Sequence, residues 1–340
     1  MKRTLPLILI AGALGGCGSE GTRTVAPGSL ESRPAGTPNA VLSVEAWTFE
    51  GKAGRAVTTP SFRIYTTSPD SLTIARLPGF LEAALFQYRS ALASLPEPGA
   101  RMETYMMPTR PEWERLTKRL LGDRAGPYLR IVRGGYAAGG RGVYFDIGPR
   151  DSLLIAAHEG WHQYVQSTFA SSLPAWLDEG VGVYMEGFRW DPTAPDRAIF
   201  LPWSNPERFD RLREGRQKAR LLPLTTLVST TPQRQIRQGS TQILEYYAQL
   251  WALVHFLREG EGGRHAPALA RLLQDAAGGQ IRRATNADPR GVDVLRAYFT
   301  DPNDPRSLDR LSEAYLRFVT EITRPGARHA VVDGRSPISP

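Results

Sequence analysis

The sequence predicts an α+β fold, and three observations predict it. Short apolar/polar alternations at 41–49, 61–67, 101–107, 128–132 and 141–148 read as strands. Helical periodicity runs over about 72–94, perturbed near Pro78 and Gly79, and over a short helix opening at Pro111. After residue 187 the pattern turns mainly helical, with loops rich in Pro and Arg. Strands gathered in the first half and helices in the second give α+β, with a mixed sheet at 41–190 and a helical subdomain at 191–322.

Ahead of the strands lies a different kind of chain. Lys2 and Arg3 precede an apolar run from Leu5 to Leu14, too short to span a membrane and suited to the core of a signal peptide over 1–16. Leu14-Gly15-Gly16-Cys17 resembles a bacterial lipobox, which makes Cys17 the lipidated residue and implies anchoring in the bacterial cell envelope, on a periplasmic face or the outer membrane. Cys17 is the single cysteine, so the fold uses neither disulfides nor thiolate ligands. Residues 17–40, rich in Gly, Ser, Thr and Pro, read as a flexible tether. Residues 323–340 read as a disordered tail.

The chain is organised around 151–186. His158-Glu159-Gly160-Trp161-His162 reads HExxH, and Leu154, Ala157, Trp161 and Val165 recur at helical spacing beside it, with Asp151 as the expected N-cap. Histidines at i and i+4 share a face, with Cβ atoms about 6 Å apart, a spacing that one small cation bridges. Glu159 lies about 100° round the helix, placed to act on a water rather than to ligate. This suits a zinc hydrolase, whose catalytic metal keeps three protein ligands and an open position. Pro174 and Gly187 bracket a second helix of about 174–186 that carries Asp178, Glu179 and Glu186. Glu179 is the best-placed carboxylate there, with Asp178 and Glu186 as weaker alternatives. A third histidine six residues after His162 is excluded, because that position is Thr168.

HExxH followed by Trp176-Leu177-Asp178-Glu179-Gly180 and then Tyr184 and Glu186 resembles the gluzincin metallopeptidases. It is closest to the aminopeptidase-N-like and peptidase-MA-like catalytic domains, whose second motif reads WLxEGxAxYxE; Gly182 stands where the family often has Ala. The resemblance implies a zincin-like fold, Zn2+ held by His158, His162 and Glu179, Glu159 as general base, and hydrolysis of peptide bonds. It also aligns Tyr247 in the helix 243–257 with the family's oxyanion-binding tyrosine, although Gln249 and Leu250 replace the Lys and Gly of its YxKG motif. Tyr246 is the fallback, and Glu186 a further supporting or substrate-facing residue. The glycine-rich stretch 134–140 reads as a hairpin turn or as an edge strand open to a peptide. It lacks the acid that anchors the substrate amine in the family's aminopeptidases, so the expectation is an endopeptidase.

The alternatives are a non-catalytic zinc-binding envelope lipoprotein and a zinc amidase acting on a non-peptide envelope substrate. The net charge of +8 is spread over segments such as 207–220, where acids interleave with Arg and stacking aromatics are scarce. That segment reads as a solvated helix face, and the expected partners are a peptide or protein substrate and a membrane, not nucleic acid.

Overall fold

A six-stranded mixed sheet carries the first half of the chain in a computed structural model that describes residues 40–281 and 291–338. Its strands are β1 (Ser43–Phe49), β2 (Lys52–Thr58), β3 (Phe62–Thr66), β4 (Met102–Met107), β5 (Gly135–Ala138) and β6 (Arg141–Phe145), in spatial order β1-β2-β3-β4-β6-β5. The first three pair antiparallel, β3, β4 and β6 run parallel, and β5 returns antiparallel as the edge. The fold is therefore mixed α and β, as expected. Signal peptide, Cys17 and all of the tether before residue 40 lie outside the described residues.

Parallel neighbours need crossover connections, and helices supply them. The first, α1 (Leu72–Ser90), links β3 to β4, with Ser71 accepting from the Ile74 amide at its start and Pro78 carried within it. The second, α2 (Arg110–Leu121), covers the opposite face of the sheet, anchored by the Trp113 indole donating to the Val143 carbonyl at 3.0 Å. The third, α3 (Pro149–Thr168), bears the HExxH residues. It is buried nearly all round, between the sheet, α1 and the following helices. The Tyr88 hydroxyl donates to the Ala157 carbonyl at 2.6 Å and so ties α1 to the middle of α3.

Three local expectations are corrected here. Asp151 is not the cap of α3: Gly148, at φ 105°, precedes Pro149 in the first turn, and Asp151 pairs with Arg133 at 2.7 Å instead. Residues 128–132 are not a strand. Tyr128–Arg130 form a 3₁₀ turn capped by Ile131, and the buried Tyr128 and Ile131 are three apart, a turn's spacing rather than a strand's. The fifth strand is the glycine-rich stretch itself, a hairpin with its turn at Gly139 and Gly140 that leaves β5 at the edge of the sheet.

Beyond α4 (Ala175–Met185) the chain is mainly helical, as expected, but it first makes a hairpin of β7 (Phe188–Asp191) and β8 (Ala194–Phe200). Phe188, Trp190 and Phe200 of that hairpin pack around Phe80 of α1. Helices α5 (Pro206–Gln217), α6 (Leu224–Ser229), α7 (Pro232–Gln238), α8 (Ser240–Gly263), α9 (Ala266–Ala277), α10 (Val292–Phe299), α11 (Ser307–Ile322) and α12 (Ala327–Val332) follow. One continuous apolar core runs from Val57 in the sheet through α3, α4 and α8 to Val331. The helical half is thus not separated from the sheet by its own core.

The tail expectation is also overturned: α12 is ordered because Ala327 and Val331 are buried and Arg328 pairs with Asp210 through two nitrogens. Truncation after Thr323 is expected to lower unfolding free energy by at least about 2 kcal/mol, the worth of one fully buried valine. Chemical denaturation of the two forms checks this.

Candidate metal centre

The site forms where α3, α4 and α8 meet. Close approach of α4 depends on its glycines: a Cβ on Gly180 would stand 2.9 Å from Val254, and one on Gly182 would stand 3.0 Å from the His158 ring. Gly182 therefore lets α4 lie directly against the His158 imidazole, which accounts for glycine where the resembling motif has alanine.

That approach brings Glu179 to both histidines. Its Oε2 lies 3.6 Å from His158 Nε2 and 3.7 Å from His162 Nε2, and one ligand atom from each of the three lies within 4.8 Å of the others. All three residues are buried, and the imidazole rings are 5.0 Å apart between centroids. The expected trio thus converges.

The far side of each imidazole is fixed by a carboxylate. His158 Nδ1 lies 3.0 Å from Glu186 Oε1, and His162 Nδ1 lies 3.0 Å from Asp178 Oδ1. An ionised carboxylate only accepts, so each Nδ1 carries a proton and each Nε2 is left to face Glu179. Asp178 and Glu186 are thereby orienting partners of the histidines and not rival ligands. The sequence ranks Glu179 above these two, but their partnership with the histidines is not legible there, because it depends on which ring nitrogen faces which carboxylate.

Unpaired polar atoms collect here. His158 Nε2, His162 Nε2, Glu179 Oε2 and Glu159 Oε1 are all buried without a hydrogen-bond partner. Buried polar groups are ordinarily satisfied, so convergent ring nitrogens and carboxylate oxygens that lack partners are what a small cation would complete. The charge balance points the same way. Glu159, Asp178, Glu179 and Glu186 surround two imidazoles, and among the described residues Arg208 is the guanidinium that contacts them, at Glu186. Burial alone depresses the His158 imidazolium, but Glu179 and Glu186 outweigh it; burial likewise depresses His162, and Asp178 and Glu179 carry it well above its ordinary range.

Glu159 is fully buried, and its Oε2 accepts the Ala137 amide at 3.0 Å. Burial pushes its carboxyl up to about 7, against the opposing pull of His162 and His158. A carboxyl poised there can take and return a proton near neutral pH. Ala137 belongs to β5, so the sheet's edge strand touches Glu159 directly. The Ala137 carbonyl accepts from Gln166 at 3.2 Å, and both of that residue's ladder-free groups are engaged by α3.

Both tyrosines of α8 reach the site. The phenol oxygens of Tyr246 and Tyr247 are buried and unpartnered. The Tyr247 ring stands edge-on to His158 at 6.2 Å. Burial, then Glu179, raises both phenols well above their ordinary value; Glu159 adds to the effect at Tyr247. Neutral phenols donate, and Tyr247 is the one whose ring packs against His158. His255 on the same helix is engaged elsewhere: it bonds Glu259 at 3.0 Å and stacks on Trp203 at 3.7 Å.

Sequence reasoning missed Asn205 and Arg208. The segment 207–220 is not simply a solvated face, because Arg208, Leu212 and Gly215 share one buried side of α5. Their spacing of i, i+4 and i+7 is the signal that was there to read.

Residues 154–278 match the model of a family described as a protein of unknown function (DUF1570). The match begins within α3 and ends just past α9, so it contains His158, Glu159, His162, Glu179 and both tyrosines of α8, but not Ala137. No curated protein matches the chain.

Proposed function

We propose that this protein is a zincin-like, zinc-dependent peptidase of the gluzincin type, held at the bacterial envelope through Cys17. The observation that carries the reading is the convergence of His158, His162 and Glu179 beside a buried Glu159 that keeps one oxygen free. Ligand atoms around a tetrahedral ion with bonds of about 2.1 Å stand about 3.4 Å apart. The 3.6 and 3.7 Å separations fit that spacing, and two neutral imidazoles with one carboxylate make a donor set suited to zinc.

Zinc bound there supplies Lewis acidity, polarising a scissile carbonyl and lowering the pKa of a water to about 7. Glu159 takes a proton from the attacking water through its free Oε1 and returns it to the leaving amine. Asp178 and Glu186 hold the two histidines in the ligating tautomer. Tyr247 donates to the developing oxyanion, a role for which a buried, unpartnered phenol is prepared. The edge strand β5 offers the backbone along which an extended peptide lies, with the Ala137 groups released from α3 as it enters. No acid stands between 134 and 142 to capture a free amine, which favours internal bonds.

Tyr247→Phe is expected to lower kcat by about 10²–10³-fold, the usual worth of one oxyanion donor, with zinc content unchanged. Tyr246→Phe should cost less; the reverse order would transfer the role to Tyr246. The substrate class is tested by one panel of quenched peptides, with free and blocked N-termini, run beside cell-wall fragments. Cleavage of blocked peptides that stops with a chelator and returns with zinc is the expected result. Turnover of cell-wall fragments alone would replace peptidase by amidase.

A further inference from the structure

We propose that Arg208 is a positioning residue that locks a zinc ligand and the oxyanion tyrosine into one unit from behind the site; this rests on the zinc-peptidase reading above. Arg208 is buried, and its Nε and Nη2 donate to Glu186 Oε2 at 3.2 Å and to Oε1 at 3.1 Å. The same Oε1 accepts His158 Nδ1 at 3.0 Å, and Oε2 accepts Asn205 Nδ2 at 2.9 Å. Four donors therefore fill the acceptor positions of one buried carboxylate, two on each oxygen.

A carboxylate held by a planar two-point fork cannot turn about its last bond without breaking both contacts. His158, bonded to that carboxylate, takes its ring orientation from it, and with it the direction of the Nε2 lone pair. The guanidinium also lies over the Tyr247 ring, 5.5 Å from Cζ to the centroid, and Tyr247 in turn stands edge-on to His158. Arg208 thus touches neither the three ligand atoms nor a substrate, yet it constrains both the His158 ring and the phenol. Its own place is fixed locally, because Asn205 caps α5 by accepting the Arg208 amide at 3.3 Å. A lysine retains the charge but offers neither the fork nor the flat face.

The test compares wild type, Arg208→Lys and Arg208→Met by three readouts: zinc affinity by chelator competition, kcat at saturating zinc, and the thermal midpoint of the metal-free protein. The expected result is zinc affinity weakened roughly 10- to 100-fold in both variants. At saturating zinc kcat falls further, and that second loss disappears when Arg208→Met is made in a Tyr247→Phe background. Should Arg208→Met fail to fold, Arg208→Lys and Asn205→Ala carry the comparison, the latter removing one donor of four and giving a smaller loss of affinity.

A lowered thermal midpoint with zinc affinity and kcat within twofold of wild type would make Arg208 mere packing between α4 and α5, and the proposal would be wrong. Wild-type protein that binds zinc but cleaves nothing would remove the peptidase reading while the affinity comparison still decides on Arg208. Wild-type protein that binds no zinc would remove both.

Discussion

Glu159→Gln is expected to lower kcat by about 10²–10⁴-fold while the protein keeps its zinc. Glutamine matches the carboxylate in shape and can still meet the Ala137 amide, but it cannot take a proton. The residue contributes no atom to the converging trio, so metal affinity should not follow activity down. The same substitution has a second, independent signature in the metal-free protein. Burial raises the Glu159 carboxyl from 4.5 to about 7, so the folded state binds this proton more tightly than the unfolded state. Its contribution is most favourable below pH 4.5 and is lost as pH rises to about 7, a loss of about 3 kcal/mol for a shift of this size. Denaturant titrations of metal-free wild type and Glu159→Gln should therefore diverge across that window, with the variant the more stable at pH 8. Equal pH dependence in the two proteins would mean that Glu159 is not held in the environment described here.

Glu179→Ala should lose zinc by more than 100-fold in affinity, and activity with it. If a site of this kind binds zinc with about 10 kcal/mol, one ligand of three is worth about 3 kcal/mol. Asp178→Ala is the informative control. Asp178 sits one residue away in the sequence, but it reaches His162 from the Nδ1 side and not from the ligating side. Its loss frees the imidazole to turn, at a cost of about 10–100-fold in affinity and without removing a ligand. Equilibrium dialysis on both variants checks the order, and a greater loss from Asp178→Ala than from Glu179→Ala would exchange their roles.

Much of this site is legible in the sequence, for a physical reason. HExxH lies within a single helix, where spacing alone decides which residues share a face. The partner carboxylate at Glu179 comes from a second helix whose start at Pro174 and end at Gly187 are marked by residue type. Relations between elements are harder to read. Asp178 and Glu186 are visible as carboxylates, but their partnership with Nδ1 exists only once α4 crosses α3. That crossing depends on Gly180 and Gly182, which the sequence marks as motif positions but not as room for a neighbouring helix. Arg208 is hidden in a charged run, where one buried guanidinium looks like its exposed neighbours. The β7–β8 hairpin is obscured by Pro192 and Pro195, although Phe188, Trp190 and Phe200 hold it onto α1. Burial of Val331 that orders α12 comes from contacts far away in sequence, which local composition does not carry.

The central claim is that His158, His162 and Glu179 hold one catalytic zinc, and metal analysis with turnover on the same purified sample tests it most directly. The account predicts about one zinc per chain, with peptide hydrolysis that vanishes when the metal is stripped and returns in proportion to zinc restored. Protein that is folded by circular dichroism but takes up no zinc, or takes it up and cleaves nothing in the panel, would contradict it.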